Sequence, residues 1–392
     1  MVQLPLIRQD PFESLPTDSG HYVVALQNKP GELEALRQAS LEVWERMTPL
    51  VHFVGQKHRG EPLNSSTIAS WVAKAASAVG IHPFYLDIVR LAPDFPVVTS
   101  KGRVTVLESI YAAARKRRLR FVPVIWVGES SETHCALVRD AALADGHGLA
   151  VRIRMRKLVP PVGTTWSAYL AELLSTVSGD VGNADLLVDL EHLDPDAELN
   201  VEDFAASLND MLSVGRWRGV ALLGTSMPAT LSCINEGTVG SLPRREWDLW
   251  QQIAQSGVSR VPSYGDYAVQ HPQPPRDDGG PGMRANIRYT SSNTTLIARG
   301  RGSVIQEGKA QYRLLCEQLV ASAEFAGSTY SWGDRLIDEC ARGAMEPGAQ
   351  NVWRGAGTSH HFQFVTDQLR LRHAASKIAV SGFSPELDRD QA

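Results

Sequence analysis

Between His21 and Tyr264 the chain alternates eight times between an apolar, β-rich run and a stretch with helical spacing. The runs are His21–Gln27, Pro49–Val54, Phe84–Leu91, Phe121–Val127, Leu149–Met155, Ala184–Leu190, Gly219–Leu223 and Val258–Tyr264. Between them, apolar residues recur at three- and four-residue intervals, as at Leu33, Leu36, Val43, Trp44 and Met47, which is the signature of a helix with one buried face. Strands separated by helices pair in parallel through crossovers. This number of units at this spacing is the size of a closed barrel. The alternative, an open doubly wound sheet, lacks its glycine fingerprint GxGxxG after any of the runs. The pattern therefore predicts an α/β protein, a (β/α)8 TIM-like barrel over residues 21–268, with the eighth strand beside the first.

Past the eighth run the pattern changes. The stretch from Gln270 to Met283 is rich in Pro, Gly and Asp, and so reads as a loop. Beyond it, Ala285–Thr290 and Thr294–Arg299 read as a hairpin, and Gln311–Phe325, Asp334–Arg342 and His361–His373 as helices. Residues 285–375 are thus expected to form a C-terminal α+β elaboration. The loop leaves the eighth strand at its C-terminal end, so the elaboration is expected to cover the barrel mouth. Residues 1–20 read as a lead-in and 376–392 as a flexible tail.

Composition narrows the class of function. Hydrophobic residues make up 43% and charged residues 21% of the 392, which is ordinary for a globular chain. The net charge of −4 excludes a globally basic nucleic-acid coat. Cys135, Cys233, Cys316 and Cys340 have no CxxC spacing. They read as small buried residues in a reducing compartment. No apolar run approaches the ~18 residues of a membrane span, and the N-terminus MVQLPLIRQDPFESLP lacks a signal-peptide core. The expectation is a cytoplasmic protein without membrane contact.

In a barrel of this kind the working groups sit at the C-terminal ends of the strands and in the loops after them. Those positions carry Lys29 and Glu32 after the first run, His52 in the second and Asp87 in the third. Trp126 and Glu129 come in the fourth, Arg152 and Arg154 in the fifth, Asp189 and Glu191 in the sixth, and Asp266 and Tyr267 after the eighth. Residues two apart on a strand share a face. Arg152 with Arg154, and Asp189 with Glu191, therefore point the same way. Charges inside apolar strands are costly unless paired. One reading is a polar mouth in which Lys29 and the arginines grip an anionic group, with Asp189, Glu191 or Asp266 as the catalytic carboxylates. The plain alternative is an internal ion-pair network of Arg152 and Arg154 with Asp87 and Asp189. Arg288, Tyr289 and His360 in the elaboration complete the candidate ligand-binding set, and His360–His361 reads as the start of a helix. No cofactor is indicated. A divalent metal on the hard oxygens of Asp87, Asp189 and Glu191 is the weaker option, and without a histidine at a fitting position a zinc site is not expected. GxSxG, GxxxxGK[ST] and HExxH are all absent.

The words YVVALQNKPGELEAL, TPLVHFV, PFYLDIVRL and LPRREWDLW, and after them VPSYGDYAVQHP, ANIRYT, ARGRG, TYSWGDRLI and WRGAGTSHHFQFV, resemble in their order the phage "beta protein" family of phages and bacterial mobile or defence-associated loci. The resemblance runs from Tyr22 to Leu369. It agrees with a barrel and implies a setting in phage–host conflict, as antiviral defence or counter-defence, but it carries no activity. The combined expectation is a barrel that binds a phosphate-bearing ligand, a nucleotide or nucleic-acid end, at its mouth. Hydrolysis of that ligand, phosphodiesterase-like, is left open. The alternative is a non-catalytic scaffold whose loops grip a protein partner of a defence locus or a nucleic acid.

Overall fold

A computed structural model describes residues 19–54, 64–88, 91, 96–99, 102–155, 160, 162–177, 180–194, 199–273 and 283–381. The predicted lead-in, apart from residues 19 and 20, and most of the predicted tail lie outside the described residues.

The elements run β1 (Tyr22–Gln27), α1 (Pro30–Arg37), α2 (Leu41–Trp44), β2 (Met47–His52), α3 (Ser65–Val79), β3 (Phe84–Asp87), β4 (Pro96–Thr99), β5 (Gly102–Thr105), α4 (Val106–Lys116), β6 (Phe121–Trp126), α5 (Glu132–Asp145) and β7 (Leu149–Arg154). They continue with α6 (Trp166–Val177), β8 (Ala184–His192), α7 (Val201–Leu212), β9 (Gly219–Thr225), β10 (Thr238–Pro243), α8 (Arg245–Gln255) and β11 (Ser263–Asp266). Last come β12 (Asn286–Thr290), β13 (Thr294–Arg299), α9 (Val304–Glu307), α10 (Gln311–Val320), α11 (Trp332–Ala341) and α12 (Gln350–Ser381). Eight strands close in the order β1-β11-β9-β8-β7-β6-β3-β2, and neighbouring strands run parallel all the way round. The predicted barrel, with the last strand beside the first, is what the chain forms.

Alternation along the strands sorts side chains into two apolar layers. Val23 and Ala25 of β1, Leu50 of β2, Tyr85 of β3, Val122 and Val124 of β6, Ala150 of β7, Leu187 of β8 and Leu223 of β9 fill the interior. Tyr22, Val24, Leu26, Val51, Leu86 and Tyr264 face the helices in a larger outer layer. Near the floor, Arg218 grips Asp185 with Nε at 2.9 Å and Nη2 at 2.5 Å, which neutralises a carboxylate inside the barrel.

Helix starts obey ordinary capping chemistry. Thr105 and Glu108 form a reciprocal capping box on α4, and the side chains of Asn64, Ser131 and Asn200 each accept a first-turn N–H.

Three departures from the sequence reading position the site. The helix expected over Leu33–Met47 is two short helices, and Met47 already belongs to β2. The long connection after β9 carries β10, which pairs antiparallel with β13 in a sheet ordered β10-β13-β12. The helix expected to begin at His361 begins at Gln350, so His360 and His361 lie in its interior rather than at its start.

That last helix has a role the sequence did not reveal. Five barrel strands are succeeded at once by a helix, β3 after the hairpin β4–β5 and β9 after the single strand β10; β11 is succeeded by β12 to α11, and only then by α12. Yet α12 packs beside α1, where an added Cβ on Gly31 would lie 2.4 Å from Asn351 O and one on Gly355 would lie 2.9 Å from Gly31 O. Farther along, Arg372 Nη1 donates to Gln251 Oε1 of α8 at 2.6 Å, and Arg244 Nη1 to Gln368 Oε1 at 2.9 Å. Between α8 and α1 is the place of the eighth barrel helix. The sequence-drawn division at 268 separates this helix from the barrel it completes. The hairpin β12–β13 stands on the C-terminal side, as expected: Arg288 Nη1 donates to Val269 O, just past β11, and Ile297 packs on Met227 and Ile234 after β9. No described helix is long and apolar enough to cross a membrane. The cysteines are all free: Cys316 and Cys340 are buried, Cys135 is half-buried, and Cys233, contrary to expectation, is exposed.

Candidate active site

Polar side chains from six strand ends meet at the top of the barrel interior, around Arg152 of β7. Arg152 Nη1 donates to Asp87 Oδ2 of β3 at 2.6 Å, and Nη2 donates to Asp189 Oδ2 of β8 at 2.6 Å, with Nε on the same oxygen at 3.0 Å. Nη2 also reaches the Tyr267 hydroxyl, just past β11, at 2.7 Å, and that hydroxyl donates to Asp189 Oδ2 at 2.6 Å. A guanidinium can only donate, so His52 Nε2, 3.0 Å from Arg152 Nη1, accepts. The other ring nitrogen, Nδ1, then faces Asp87 Oδ2 at 3.2 Å with its proton. Trp126 Nε1 donates to the same Asp87 oxygen at 2.8 Å. Arg152 and Asp189 are wholly buried, and His52, Asp87 and Tyr267 nearly so. Burial works against the Arg152 charge, but Asp189, Tyr267 and Asp87 outweigh it and hold the guanidinium above its usual range.

A more accessible tier lies over this network. Arg154, two residues along β7, places Nη1 2.8 Å from Glu129 Oε1 and Nε 3.1 Å from Glu191 Oε1. Trp126 separates the tiers: its ring centroid lies 4.4 Å from the guanidinium carbons of both Arg152 and Arg154. Side-chain exposure rises from 7% at Glu191 through 20% at Arg154 to 36% at Glu129, so this tier is where solvent first meets the site. Glu191 sits in a β-bulge: Asp189 pairs with Leu223, but His192 pairs with Thr225, one residue out of step. Its φ is +55°, in the left-handed region that costs a side-chain-bearing residue about 1 kcal/mol or more. Asp189 Oδ1 holds the bend by accepting the Glu191 N–H at 2.9 Å.

The other predicted residues fall elsewhere. Lys29 is half-exposed at the start of α1, and the Glu32 carboxylate turns back to accept the Gln27 N–H. Arg288 is tied to Val269 O and, at 3.1 Å, to Gln270 Oε1. Tyr289 and His360 stack at 3.7 Å inside the C-terminal unit, and both bond to Asp334, at 2.6 and 3.0 Å. They form part of that unit's core. Asp266 is expected at the mouth; instead its carboxylate lies on the outer face of β11, where it accepts from Tyr264 at 2.9 Å, Tyr22 at 2.5 Å and His361 Nε2 at 2.8 Å. Burial pushes this carboxyl up, but His361, Tyr22 and Arg244 outweigh that and leave it below the ordinary carboxylate range. The Arg299 side chain holds the carbonyls of Leu231 and Ile234. Among the described residues no group of three His, Cys, Asp or Glu side chains is placed to hold a metal. His52 and Trp126 belong to the site and lie outside the predicted catalytic and ligand-binding set. Strand parity is the signal that finds them, since each shares a face with interior apolar residues two positions earlier.

A family model described as Beta protein matches residues 22–367. No curated protein matches the chain. Among solved structures, HMG-CoA lyase from Brucella melitensis is 13% identical with a TM-score of 0.31, over 63% of this chain and 80% of that one. A variant of the O-GlcNAc hydrolase of Thermobaculum terrenum is also 13% identical with a TM-score of 0.31, over 57% of this chain and 48% of that one.

Proposed function

The chain belongs to the Beta protein family, and on that premise we propose that it is a hydrolase of phage–host conflict working by carboxylate acid–base chemistry at the barrel mouth. The observation that carries this reading is the bulged, left-handed Glu191. Strain of this kind persists where surrounding structure enforces it, and it clusters at working sites. Here it aims a carboxylate at the solvent-facing tier, beside Glu129 and against Arg154. Glu191 is the proposed proton-transfer group, and Glu129 its partner carboxylate. Arg152, Asp189, Tyr267, Asp87, His52 and Trp126 are positioning residues, since they hold the bulge and the Arg154 stack without being solvent-accessible.

The charge balance argues against an anionic substrate as the first choice. Arg152 is shared by two carboxylates and Arg154 by two more, so a phosphate arriving at this mouth would meet negative charge. A neutral or cationic polar substrate fits better, and a phosphodiester is the second reading. The test is a panel of chromogenic glycosides, esters, amides and phosphodiesters, with Glu191→Gln as control. Turnover of an uncharged or cationic substrate that falls at least about 100-fold in Glu191→Gln, with unchanged circular dichroism, supports the reading. Turnover of phosphodiesters alone, or activity that survives Glu191→Gln, overturns it. The scaffold alternative predicts no turnover anywhere in the panel.

A further inference from the structure

The floor of the barrel, opposite the mouth, gathers cations. Lys116, Arg117 and Arg118 end α4, Arg120 leads into β6, and Arg216 leads into β9. Because the strands run parallel, these loops all lie at the N-terminal end of the barrel. Lys116, Arg117, Arg118 and Arg216 are exposed and Arg120 is half-buried. Among the described residues none of the five has a carboxylate partner. Burial and, after it, the nearby charge of Arg216 lower the pKa of Arg260 against the pull of Asp185, so two guanidiniums crowd each other beneath β9 and β11. The carboxylates of this end are mostly engaged. Asp145 is held by Arg115 at 2.9 Å, Asp185 by Arg218 at 2.5 Å, and Asp180 accepts the Gly182 N–H at 2.8 Å; Glu45 stands exposed next to Arg46.

Arg118 supplies a second, independent observation. Its φ is +54°, one position past the α4 cap, where a left-handed turn ordinarily takes glycine. Helix α5 makes its left-handed exit with Gly146 at φ +69°. An arginine in this conformation is unfavourable, and such strain clusters at working surfaces. The field of a helix favours cations within its last turn. That accounts for Lys116 and Arg117, but not for Arg120 or Arg216.

We infer that the barrel floor is a docking surface for the phosphate backbone of double-stranded DNA. Guanidinium forks match phosphate oxygens in geometry as well as charge. Strands β6 and β9 are three places apart in the barrel, about 14 Å along the sheet. That span is comparable with the roughly 12 Å width of the major groove, so the Arg117–Arg120 cluster and Arg216 face the two backbones that border a groove. Single strands are gripped by stacking on free aromatic rings, and the rings here are engaged: Trp217 is buried, and Trp44 stacks on His82 at 4.1 Å. With a net charge of −4, the rest of the chain repels DNA, which confines the contact to this end. Phosphate contacts carry no base readout, so binding is independent of sequence. The surface lies at the far end from Glu191 and does not rest on the chemistry proposed for the mouth.

The experiment is fluorescence anisotropy of a labelled duplex of about 20 base pairs with the full chain, between about 50 and about 150 mM KCl. Micromolar binding is expected at the lower salt, weakening roughly 50-fold at the higher, as neutralisation of about four phosphates requires. Arg118→Gly should weaken binding about tenfold at the lower salt and reduce the salt slope by about one. Its melting temperature should equal or exceed that of wild type, because glycine relieves the backbone. An Arg118 that serves only the fold would move neither affinity nor slope. The double variant Arg117→Glu with Arg216→Glu should abolish binding while keeping the wild-type circular dichroism, and it decides if Arg118→Gly does not fold. No binding at the lower salt, wild-type affinity in the double variant, or a single strand of equal length bound as tightly as the duplex overturns the inference. Capture by vesicles of phosphatidylcholine and phosphatidylserine in place of the duplex overturns it as well.

Discussion

His361 Nε2 lies 2.8 Å from Asp266 Oδ2, and this contact joins the end of the eighth barrel strand to the helix that completes the barrel. A carboxylate only accepts, so Nε2 donates; with burial favouring the neutral ring, the other ring nitrogen, Nδ1, 2.7 Å from Thr290 Oγ1, is the acceptor of that hydroxyl. Burial, acting against Asp266, lowers its pKa below 6.5. The unfolded chain therefore binds this proton first. Stability from this group is full above about pH 6.5 and falls as the pH drops below it. Urea unfolding from pH 8 to pH 5 should show that decline. His361→Ala should flatten it and cost about 2 kcal/mol at pH 8, for two lost buried hydrogen bonds.

Glu246 carries the opposite sign. Burial raises its pKa from 4.5 to about 6, so the folded chain keeps a proton that the unfolded chain releases in this window. The group costs about 2 kcal/mol at pH 7 and nothing below pH 4.5. Glu246→Gln retains an oxygen for the Ser226 N–H and hydroxyl, which sit 2.9 and 2.6 Å away. Its melting temperature should exceed that of wild type at pH 7.5 and match it at pH 4. A lower value at pH 7.5 would contradict this.

Removing Arg152 strands Asp87 and Asp189 in the barrel interior. Arg152→Met should cost about 3–5 kcal/mol. Adding Asp87→Asn and Asp189→Asn should recover a large part of that loss, because the uncompensated charge is then gone. Denaturant titration of the single and triple variants measures the difference, and a triple variant no more stable than Arg152→Met would show that geometry rather than charge sets the cost.

Glu191→Gly should separate strain from function. Glycine adopts φ = +55° freely, and the ion pair it removes is partly solvated and weak. The variant should be more stable by about 1 kcal/mol while losing any turnover the wild type shows. A loss of stability would mean that the Arg154–Glu191 contact outweighs the backbone strain.

The seat of α12 depends on glycines. An added Cβ at Gly31 would approach Asn351 O to 2.4 Å, and one at Gly357 would approach Arg288 O to 2.4 Å. Both neighbours are backbone and cannot step aside. Gly31→Ala and Gly357→Ala should each destabilise by about 1–3 kcal/mol, measured by thermal melting.

The barrel is legible in the sequence because mostly apolar runs alternate eight times with stretches of helical spacing. Arg152, Asp87 and Asp189 are legible because charges in such runs must find one another, and they do. Asp266 falls on the wrong side in the sequence reading because that reading ends the eighth strand at Tyr264. The strand ends at Asp266, which keeps the parity of Tyr264, and that ring packs edge-on against Trp247 and Trp250 of α8. Strand β10 leaves no sign in the sequence, because its residues are mostly exposed and its short run TVGSLP holds a glycine and a proline that read as a loop. The first half of α12 is hidden as well, since Gly355, Gly357, Thr358 and Ser359 interrupt the apolar periodicity, and the two glycines serve close backbone approach rather than an oily stripe.

The late arrival of α12 bears on how the protein is made. A ribosome that has finished β11 has produced eight strands but only seven of the helices that cover them, and residues 267–349 must emerge before the eighth appears. Until then the Asp266 carboxylate lacks His361, and the flank that α12 covers stays open in the nascent chain. Synthesis of the C-terminal third thus becomes a checkpoint on barrel assembly, and a stop codon anywhere before α12 would release a polypeptide with an open flank, a natural target for chaperones and proteases.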